Sequence, residues 1–286
     1  MHVDNFLGNI FVSCDRGCNF RLSIERIYMQ DFVHLHVHTQ YSLLDGQASV
    51  SRLVDKAMKD GMKGIAVTDH GNMFGIKEFT NYVNKKNSGP KGEIKDLKKR
   101  IAGIESGEIE CEDKEAEIAD CRAKMAEAES KLFKPIVGCE MYVARRTMDK
   151  KEGKPDQSGY HLIVLAKNEK GYHNLIKLVS HAWTRGYYMR PRTDRSELEK
   201  YHEGLIVCSA CIGGEVPKKI INDQLEEAEE AVRWYKNLFG DDYYLELQRH
   251  KATVPRANHE AYPLQQKANA KLLELARKYD IKVICS

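Results

Sequence analysis

Three histidines, His34, His36 and His38, occupy every second position of one short segment, and Asp45 follows seven residues after the last of them. Because side chains alternate between the two faces of a β-strand, this spacing predicts that the histidines share one face and the intervening apolar residues the other. Imidazole nitrogens are costly to bury without partners, and the commonest partner of converging histidines is a transition metal. The segment therefore predicts a metal site.

Candidate ligands also fall near the ends of other predicted strands. The segment Thr-Asp-His-Gly-Asn at 68–72 places His70 at a strand-to-helix turn, where α/β barrels build their active sites. Glu140 lies on a later strand, His161 begins another, and Cys211 follows a third. Taken singly, such residues have ordinary interpretations as hydrogen-bonded core histidines or ion-paired glutamates, so their joint pattern carries the prediction.

If the first five predicted strands run parallel around a barrel, these side chains meet at one mouth. The predicted ligands are His36, His38, Asp45, His70, Glu140, His161 and Cys211. Imidazole, carboxylate and thiolate ligands suit zinc, manganese or iron, and the set is large enough for more than one divalent ion. Such a site implies hydrolysis of a phosphate ester, with Glu140 as the carboxylate that bridges the ions.

A basic segment could complete such a site. Arg190 and Arg192 flank a proline and follow Tyr187 and Tyr188. The forked donors of arginine match the oxygens of a phosphate, and tyrosine rings offer faces on which bases can stack. The segment therefore predicts a contact with phosphate or DNA, and the alternative is a solvated loop with structural tyrosines.

The rest of the pattern predicts an α/β fold, because short β-rich runs alternate with helical ones. The predicted strands are Phe32–His38, Gly64–Thr68, Lys134–Val143, His161–Ala166, Leu205–Ser209, Tyr243–Gln248 and Ile281–Cys285. The predicted helices lie near 49–60, 74–87, 170–184, 214–220, 223–239 and 258–279. For the helix at 223–239, the spacing predicts a capping box that begins at Asp223 and an end at Gly240. Seven strands of this type suggest a barrel.

One segment, at about 88–133, breaks this alternation. It is rich in Lys, Glu and Ala and carries two runs of apolar residues at heptad spacing, separated near Gly107. The pattern predicts a helical hairpin inserted between the second and third strands. Its two interpretations are a solvated insertion without chemistry and an arm that binds a partner.

Composition narrows the class of protein. The chain has 45 basic and 42 acidic residues, a net charge of +3, which does not by itself mark a nucleic-acid binder. No apolar run approaches the length of a membrane span, and residues 1–28 lack the features of a secretory signal. We therefore expect a soluble, cytoplasmic protein that does not bind membranes. Residues 1–28 are interpreted as an extension outside the core.

Several motifs together resemble a known family. They are HLHVHTQYSLLDG at 34–46, VTDHGN at 67–72, PIVGCEMYV at 135–143, HLIVLAKNEKGY at 161–172, LIVCSACIGGEV at 205–216 and YLELQRH at 244–250. In this order they resemble the amino-terminal PHP (polymerase and histidinol phosphatase) domain of bacterial DNA polymerase III alpha subunits. The resemblance covers residues 31–286 apart from the helical insertion, which makes 29–286 the expected PHP domain.

This resemblance implies a distorted (βα)7 TIM-like barrel that binds up to three divalent metals, zinc first among them, through nine ligands. Matched residue by residue, the family's ligand positions fall on His36, His38, Asp45, His70, Glu140, His161 and Cys211. Glu140 matches the bridging carboxylate, and it is expected to act with His70 in activating water. His34 has no counterpart and is interpreted as an interior or supporting residue. The last motif of the family, Asp-x-His, is expected just beyond Ser286.

The resemblance leaves three functions open. In the first, the parent protein is a DNA-directed DNA polymerase that binds primer-template DNA, and this domain is a metal-dependent 3′–5′ exonuclease. In the second, the domain is a non-catalytic platform for the polymerase and for replisome partners such as a proofreading exonuclease subunit and the sliding clamp. The third is a phosphatase of the histidinol-phosphate type, whose members lack the Tyr-Ser-Leu-Leu-Asp-Gly segment found here at 41–46.

Overall fold

The computed structural model describes residues 32–251 and 261–286. Its helices are α1 Val50–Lys59, α2 Ile76–Lys86, α3 Ser88–Ser106, α4 Lys114–Ser130, α5 Glu169–Thr184, α6 Arg195–Tyr201, α7 Glu215–Ile221, α8 Leu225–Phe239 and α9 Ala261–Tyr279. Its strands are β1 Gly64–Val67, β2 Lys134–Ala144, β3 Gly159–Ala166, β4 Arg192–Thr193, β5 Leu205–Cys208, β6 Tyr243–Leu247 and β7 Val283–Cys285. Two short helical turns lie at Lys154–Asp156 and Gly240–Asp242. The predicted extension at 1–28 lies outside the described residues.

The strands form one sheet in the order β1-β2-β3-β5-β6-β7, with β4 paired to β2. All neighbouring pairs are parallel except those of β3, which runs antiparallel to both β2 and β5. The prediction that the first five strands run parallel is therefore wrong at β3. Because β3 begins where its neighbours end, His161 at its start lies opposite Tyr142, near the end of β2.

The sheet curls around an apolar interior. One buried cluster draws side chains from both ends of the strand order, β1 and β7, and from the strands between them. Its members are Val33, Leu35, Ala66, Ile136, Ile163, Leu165, Ile206, Cys208, Ala210, Tyr244 and Ile284. Alternate residues of the same strands, such as Leu162 and Val164, pack outward against helices α5, α7, α8 and α9. This arrangement of an inner core, a sheet and outer helices is the distorted α/β barrel that the sequence predicts.

The predicted first strand, Phe32–His38, runs beside β1 without forming a regular strand. Two backbone hydrogen bonds join it to β1 and the residue after it, from Ala66 N–H to the His34 carbonyl and from Thr68 N–H to the Val37 carbonyl, each at 2.9 Å. The N–H of Val37 donates instead to the hydroxyl of Thr68, at 2.8 Å. A side chain thus takes the place of a backbone acceptor and ends the strand pairing.

A bend at His36 also breaks the predicted alternation of faces. Before the bend, Val33 and Leu35 enter the barrel interior, whereas Val37 after it packs against the cluster under α1 and α2. His34 is exposed and does not share a face with the other two histidines. Both its predicted place in the ladder and its interpretation as an interior residue are therefore wrong.

Helices α3 and α4 pack against each other as the predicted hairpin. Gly107 ends α3 in the left-handed conformation, with φ of 83°, and Asp113 caps α4 by accepting a hydrogen bond from the Ala116 N–H at 2.9 Å. Both ends of the insertion meet at buried Asn87, whose side chain donates to the Phe133 carbonyl at 2.7 Å and accepts from the Phe133 N–H at 2.9 Å. The hairpin thus leaves and rejoins the barrel at one point.

The predicted cap of α8 differs from the observed one. Asp223 adopts a left-handed conformation with φ of 61°, and its carboxylate accepts a hydrogen bond from Lys267 at 2.7 Å instead of capping the helix. No side chain caps α8, whereas Gly240 ends it as predicted. Two elements, β4 and α6, are absent from the prediction, and the two residues of β4 are too few to show a period.

Strand β4 carries Arg192, which is fully buried. Its guanidinium donates to the carbonyls of Gly186, Met148 and Lys150 at 3.1, 2.8 and 3.0 Å. The predicted contact of Arg192 with phosphate is therefore wrong, because the side chain is fully buried and its Nε and Nη2 already bind the backbone of two loops. Its neighbour Arg190 is exposed.

We expect Arg192→Met to lower the free energy of unfolding by about 3 kcal/mol, because it leaves three carbonyls without donors. The matched control Arg190→Met should change it by less than about 0.5 kcal/mol, since that side chain is exposed. Urea unfolding followed by circular dichroism measures both values. Equal effects of the two substitutions would contradict the structural role of Arg192.

Candidate metal centre

Glu140, in the middle of β2, is fully buried and is surrounded by four histidines. Its Oε1 lies 3.2 Å from Nε2 of His36 and 2.8 Å from Nδ1 of His161. Its Oε2 lies 3.6 Å from Nε2 of His38 and contacts Nδ1 of His70. The histidines come from the segment before β1, from the turn after β1 and from β3, so the fold itself brings them together.

The two remaining predicted ligands flank this cluster. Asp45 is largely exposed, and its Oδ2 lies 2.9 Å from Nε2 of His70. The sulfur of Cys211 lies 3.5 Å from Nδ1 of His161 and 3.8 Å from Oε1 of Glu140. The structure therefore brings all seven sequence-predicted residues into one site.

A second acid, Asp69, fixes the loop that carries Asp45. This buried carboxylate accepts hydrogen bonds from the N–H and hydroxyl of Thr39, at 2.6 and 2.8 Å, and from the hydroxyl of Ser42 at 2.7 Å. The Ser42 oxygen in turn accepts from the N–H of His70 at 3.1 Å. Asp69 thus couples the loop after the first histidines to the turn that presents His70.

Glu246 on β6, for which no role was predicted, is buried beside His36. Its Oε1 lies 2.7 Å from Nδ1 of His36 and accepts hydrogen bonds from Gln248 at 3.1 Å and Ser286 at 2.6 Å. A carboxylate on one imidazole nitrogen orients the other, here toward Glu140. The signal was present in the sequence, since Tyr-Leu-Glu-Leu places an acid within an otherwise apolar buried strand.

The charges of the cluster stabilise one another. Burial opposes the charged form of His36, but Glu246 and Glu140 outweigh it and raise the pKa of His36 to about 10. Burial likewise opposes ionisation of Glu140, yet His161, His36 and His70 hold its pKa well below the usual range. For His38, burial prevails and lowers the pKa. For Cys211, burial and then Glu140 raise the pKa of the thiol to about 12.

The donor set fits divalent metal ions. Three combinations place their ligand atoms within 4.8 Å of one another: His36, His38 and Glu140; His38, Asp45 and His70; and His70, Glu140 and His161. Nδ1 of His70 and Oε2 of Glu140 are buried and touch without hydrogen-bond geometry, and Oε2 of Glu246 is also buried without a hydrogen bond. A bound cation would satisfy these buried nitrogen and carboxylate oxygen atoms, which lack hydrogen bonds.

A cleft of about 550 Å³ opens over this cluster. Asp45, His70 and His161 lie on its wall, together with Tyr142 and Arg190. The guanidinium of Arg190 stands 5.9 Å from the centre of the Tyr142 ring. Of the two arginines predicted to contact phosphate, the structure therefore places Arg190 at the site.

Among the described residues, no helix is long and apolar enough to cross a membrane.

The chain is similar in sequence to several known proteins. The DNA polymerase III alpha subunits of Borreliella burgdorferi, Aquifex aeolicus and Thermus aquaticus are 43, 36 and 35% identical to the chain over 220, 263 and 260 residues. These alignments cover 77, 90 and 89% of the chain but 15, 18 and 17% of the relatives, so the chain spans less than a fifth of their length.

A crystal structure from Bifidobacterium adolescentis, described as a candidate metal-dependent phosphoesterase, aligns with 89% of the chain and 86% of its own length, at 15% identity and a TM-score of 0.40. Residues 34–250 match the PHP domain as a family. This match spans the segment from the first histidines to the end of the YLELQRH motif. The chain therefore belongs to the PHP domain family, as its motifs predict.

Proposed function

We propose that this chain is the amino-terminal PHP domain of a replicative DNA polymerase III alpha subunit, and that its metal centre hydrolyses phosphodiester bonds at the 3′ end of DNA. The observation that carries the proposal is the buried carboxylate of Glu140 within contact distance of four histidines, beneath an open cleft. The parent protein would act in the cytoplasm on primer-template DNA, with a proofreading subunit and the sliding clamp as partners. The proposed domain is 29–286, with its insertion at about 88–133.

The metal ligands and Arg190 have different proposed roles in hydrolysis. Zinc is the proposed metal because imidazole, carboxylate and thiolate ligands suit it, with manganese or iron as alternatives. A bound cation would supply Lewis acidity toward the phosphoryl oxygens and lower the pKa of water. Glu140 would hold more than one ion, since it belongs to two of the three ligand combinations, one with His36 and His38 and one with His70 and His161. Arg190 would neutralise the phosphate from the cleft wall.

His70 is the proposed proton-handling residue. Its Nδ1 contacts Glu140, while its Nε2 lies 2.9 Å from Oδ2 of Asp45 at the open end of the cleft. Glu140 raises the pKa of His70 against the opposing effect of burial. His70 can therefore exchange a proton with a substrate or with water through Nε2, beside Asp45 at the open end of the cleft.

The second candidate is a non-catalytic platform for the polymerase and its proofreading subunit. The similarity of the chain to alpha subunits from several bacteria supports a place in the replication machinery under either candidate. The same similarity favours both over a small-molecule phosphatase. The two candidates differ in what loss of a histidine ligand should do, and this difference can be measured.

We expect Glu140→Gln to reduce the zinc bound per chain by at least about tenfold, because the substitution removes a charge shared by all four histidines. His173→Ala is the matched control, since His173 is exposed on α5, where its Nδ1 lies 2.9 Å from the Glu169 carbonyl and its ring contacts that of Tyr172. Elemental analysis after dialysis against buffered zinc gives the stoichiometry. Equal zinc in the two variants would contradict the assignment of the site.

Extending the chain past Ser286 to include the expected Asp-x-His motif should increase both the bound metal and the release of nucleotides from a 3′-labelled single strand. The hydroxyl of Ser286 itself donates to Glu246, beside His36, at 2.6 Å. A chain that gains no metal on extension would contradict the expected ligand set.

His36→Ala in the full-length protein should abolish hydrolysis while leaving DNA synthesis largely intact. Primer extension and nucleotide release, measured on the same preparation, separate the two activities. An equal loss of both would instead favour the non-catalytic platform.

Metal binding should release protons and strengthen as the pH rises. Because the pKa of His36 is raised to about 10 in the metal-free cluster, this imidazole is protonated at pH 7.5 and must lose its proton to bind a metal. Titration calorimetry in two buffers with different ionisation enthalpies should report release of roughly one proton or more per ion. An affinity that does not change between pH 6.5 and 9 would contradict this expectation.

A further inference from the structure

The cleft over the metal centre has an exposed apolar rim. Leu44 and Met189 project into solvent with 109 and 65% of their surface exposed, and Phe74, Trp183 and Tyr187 are exposed by 63, 40 and 48%. All five line the same cleft as the candidate ligands. An apolar surface of this kind that borders a polar site marks a place where a ligand binds.

The three aromatic rings form an ordered group. Trp183 stacks on Tyr187 with ring centres 5.6 Å apart and an angle of 17° between planes, and Phe74 lies 5.9 Å from Trp183 at 39°. The indole N–H of Trp183 donates to the carbonyl of Gly71 at 2.7 Å. Gly71 directly follows His70, so the rings are held in fixed relation to the metal centre.

Close packing joins the two loops of the rim. Gly71 has φ of 62°, and a Cβ placed there would lie 2.6 Å from Cγ of Pro191. The turn that carries His70 thus sits directly against the loop of Tyr187 and Arg190. The aromatic group, the arginine and the histidine therefore form one continuous wall.

The chemistry of this wall selects a nucleic acid as its occupant. Flat aromatic faces bind flat partners, and the bases of an unpaired strand offer such faces, whereas the bases of a duplex already stack on each other. Arg190 and the candidate metal ions supply positive charge for the phosphate that joins those bases. An apolar peptide would leave this charge without a partner. A single-stranded nucleic acid uses both features at once.

We propose that Phe74, Trp183 and Tyr187 form a base-stacking subsite for the unpaired end of a nucleic acid whose phosphate lies at the metal centre. The inference deepens the proposed hydrolysis and rests on it for the position of the phosphate. It names single-stranded nucleic acid, rather than a small phosphate ester, as the substrate class.

The chain offers its own reporter for this subsite, because it has two tryptophans. Trp234, on α8, packs against the guanidinium of Arg195 at 4.6 Å and does not line the cleft. Trp234→Phe therefore leaves Trp183 as the single indole. We would titrate this variant with an oligothymidylate of about eight nucleotides and with an abasic oligonucleotide of equal length, in EDTA so that no hydrolysis occurs.

Saturable quenching by oligothymidylate, absent with the abasic strand, is the expected result. Tyr187→Ala in the same background should weaken binding by roughly tenfold, and Tyr187→Phe should retain it, because stacking needs the ring but not the hydroxyl. The control Tyr172→Ala should not change binding, since Tyr172 is an exposed ring outside the cleft. Urea unfolding of each variant identifies any loss of fold.

Equal binding of the two oligonucleotides would overturn the proposal, as would an unchanged affinity in a folded Tyr187→Ala variant or the absence of binding. Hydrolysis is measured separately, with zinc and a 3′-labelled strand. Hydrolysis without base-dependent quenching would refute the subsite alone. Quenching without hydrolysis would refute the proposed activity and leave the subsite standing.

Discussion

The structure depends on keeping one negative charge, that of Glu140, in the interior of the barrel mouth. Removing a carboxylate from water costs several kcal/mol unless partners compensate it, and leaving it unpaired would destabilise the fold. The histidines that hold down its pKa, His36, His70 and His161, come from three distant parts of the sequence. The charge can be satisfied only when the segment before β1, the turn after β1 and the start of β3 have all reached their places. A local electrostatic requirement thus specifies long-range topology.

The fold meets this requirement by reversing one strand. If β3 ran parallel to its neighbours, His161 at its start would lie at the opposite end of the barrel from Glu140. The antiparallel pairing brings it to within 2.8 Å. Around this centre, Asp69 ties together the loops that carry Asp45 and His70 through short hydrogen bonds. Rigid support of this kind keeps ligand groups in place without the ligand itself.

Much of the fold and the site follows from the sequence, and the exceptions have physical causes. The convergence of the seven candidate residues was predictable because their joint pattern at predicted strand ends, together with the resemblance of the motifs to a known family, pointed to one barrel mouth. Strand direction was not, since apolar alternation reads the same both ways. The exposure of His34 depends on a bend at His36 that no local pattern shows. The prediction for Arg192 was wrong because the sequence does not distinguish a buried guanidinium that binds backbone carbonyls from an exposed one that can bind phosphate.

The amide of Asn87 gives the helical insertion an independence from the rest of the chain. This side chain joins the residue before the hairpin directly to Phe133 after it, so the two boundaries are held together by a contact outside α3 and α4. The hairpin is thus an insertion whose length and surface can change while the barrel keeps its shape. The hairpin can therefore vary, or be replaced by a short turn or another domain, without disturbing the metal centre.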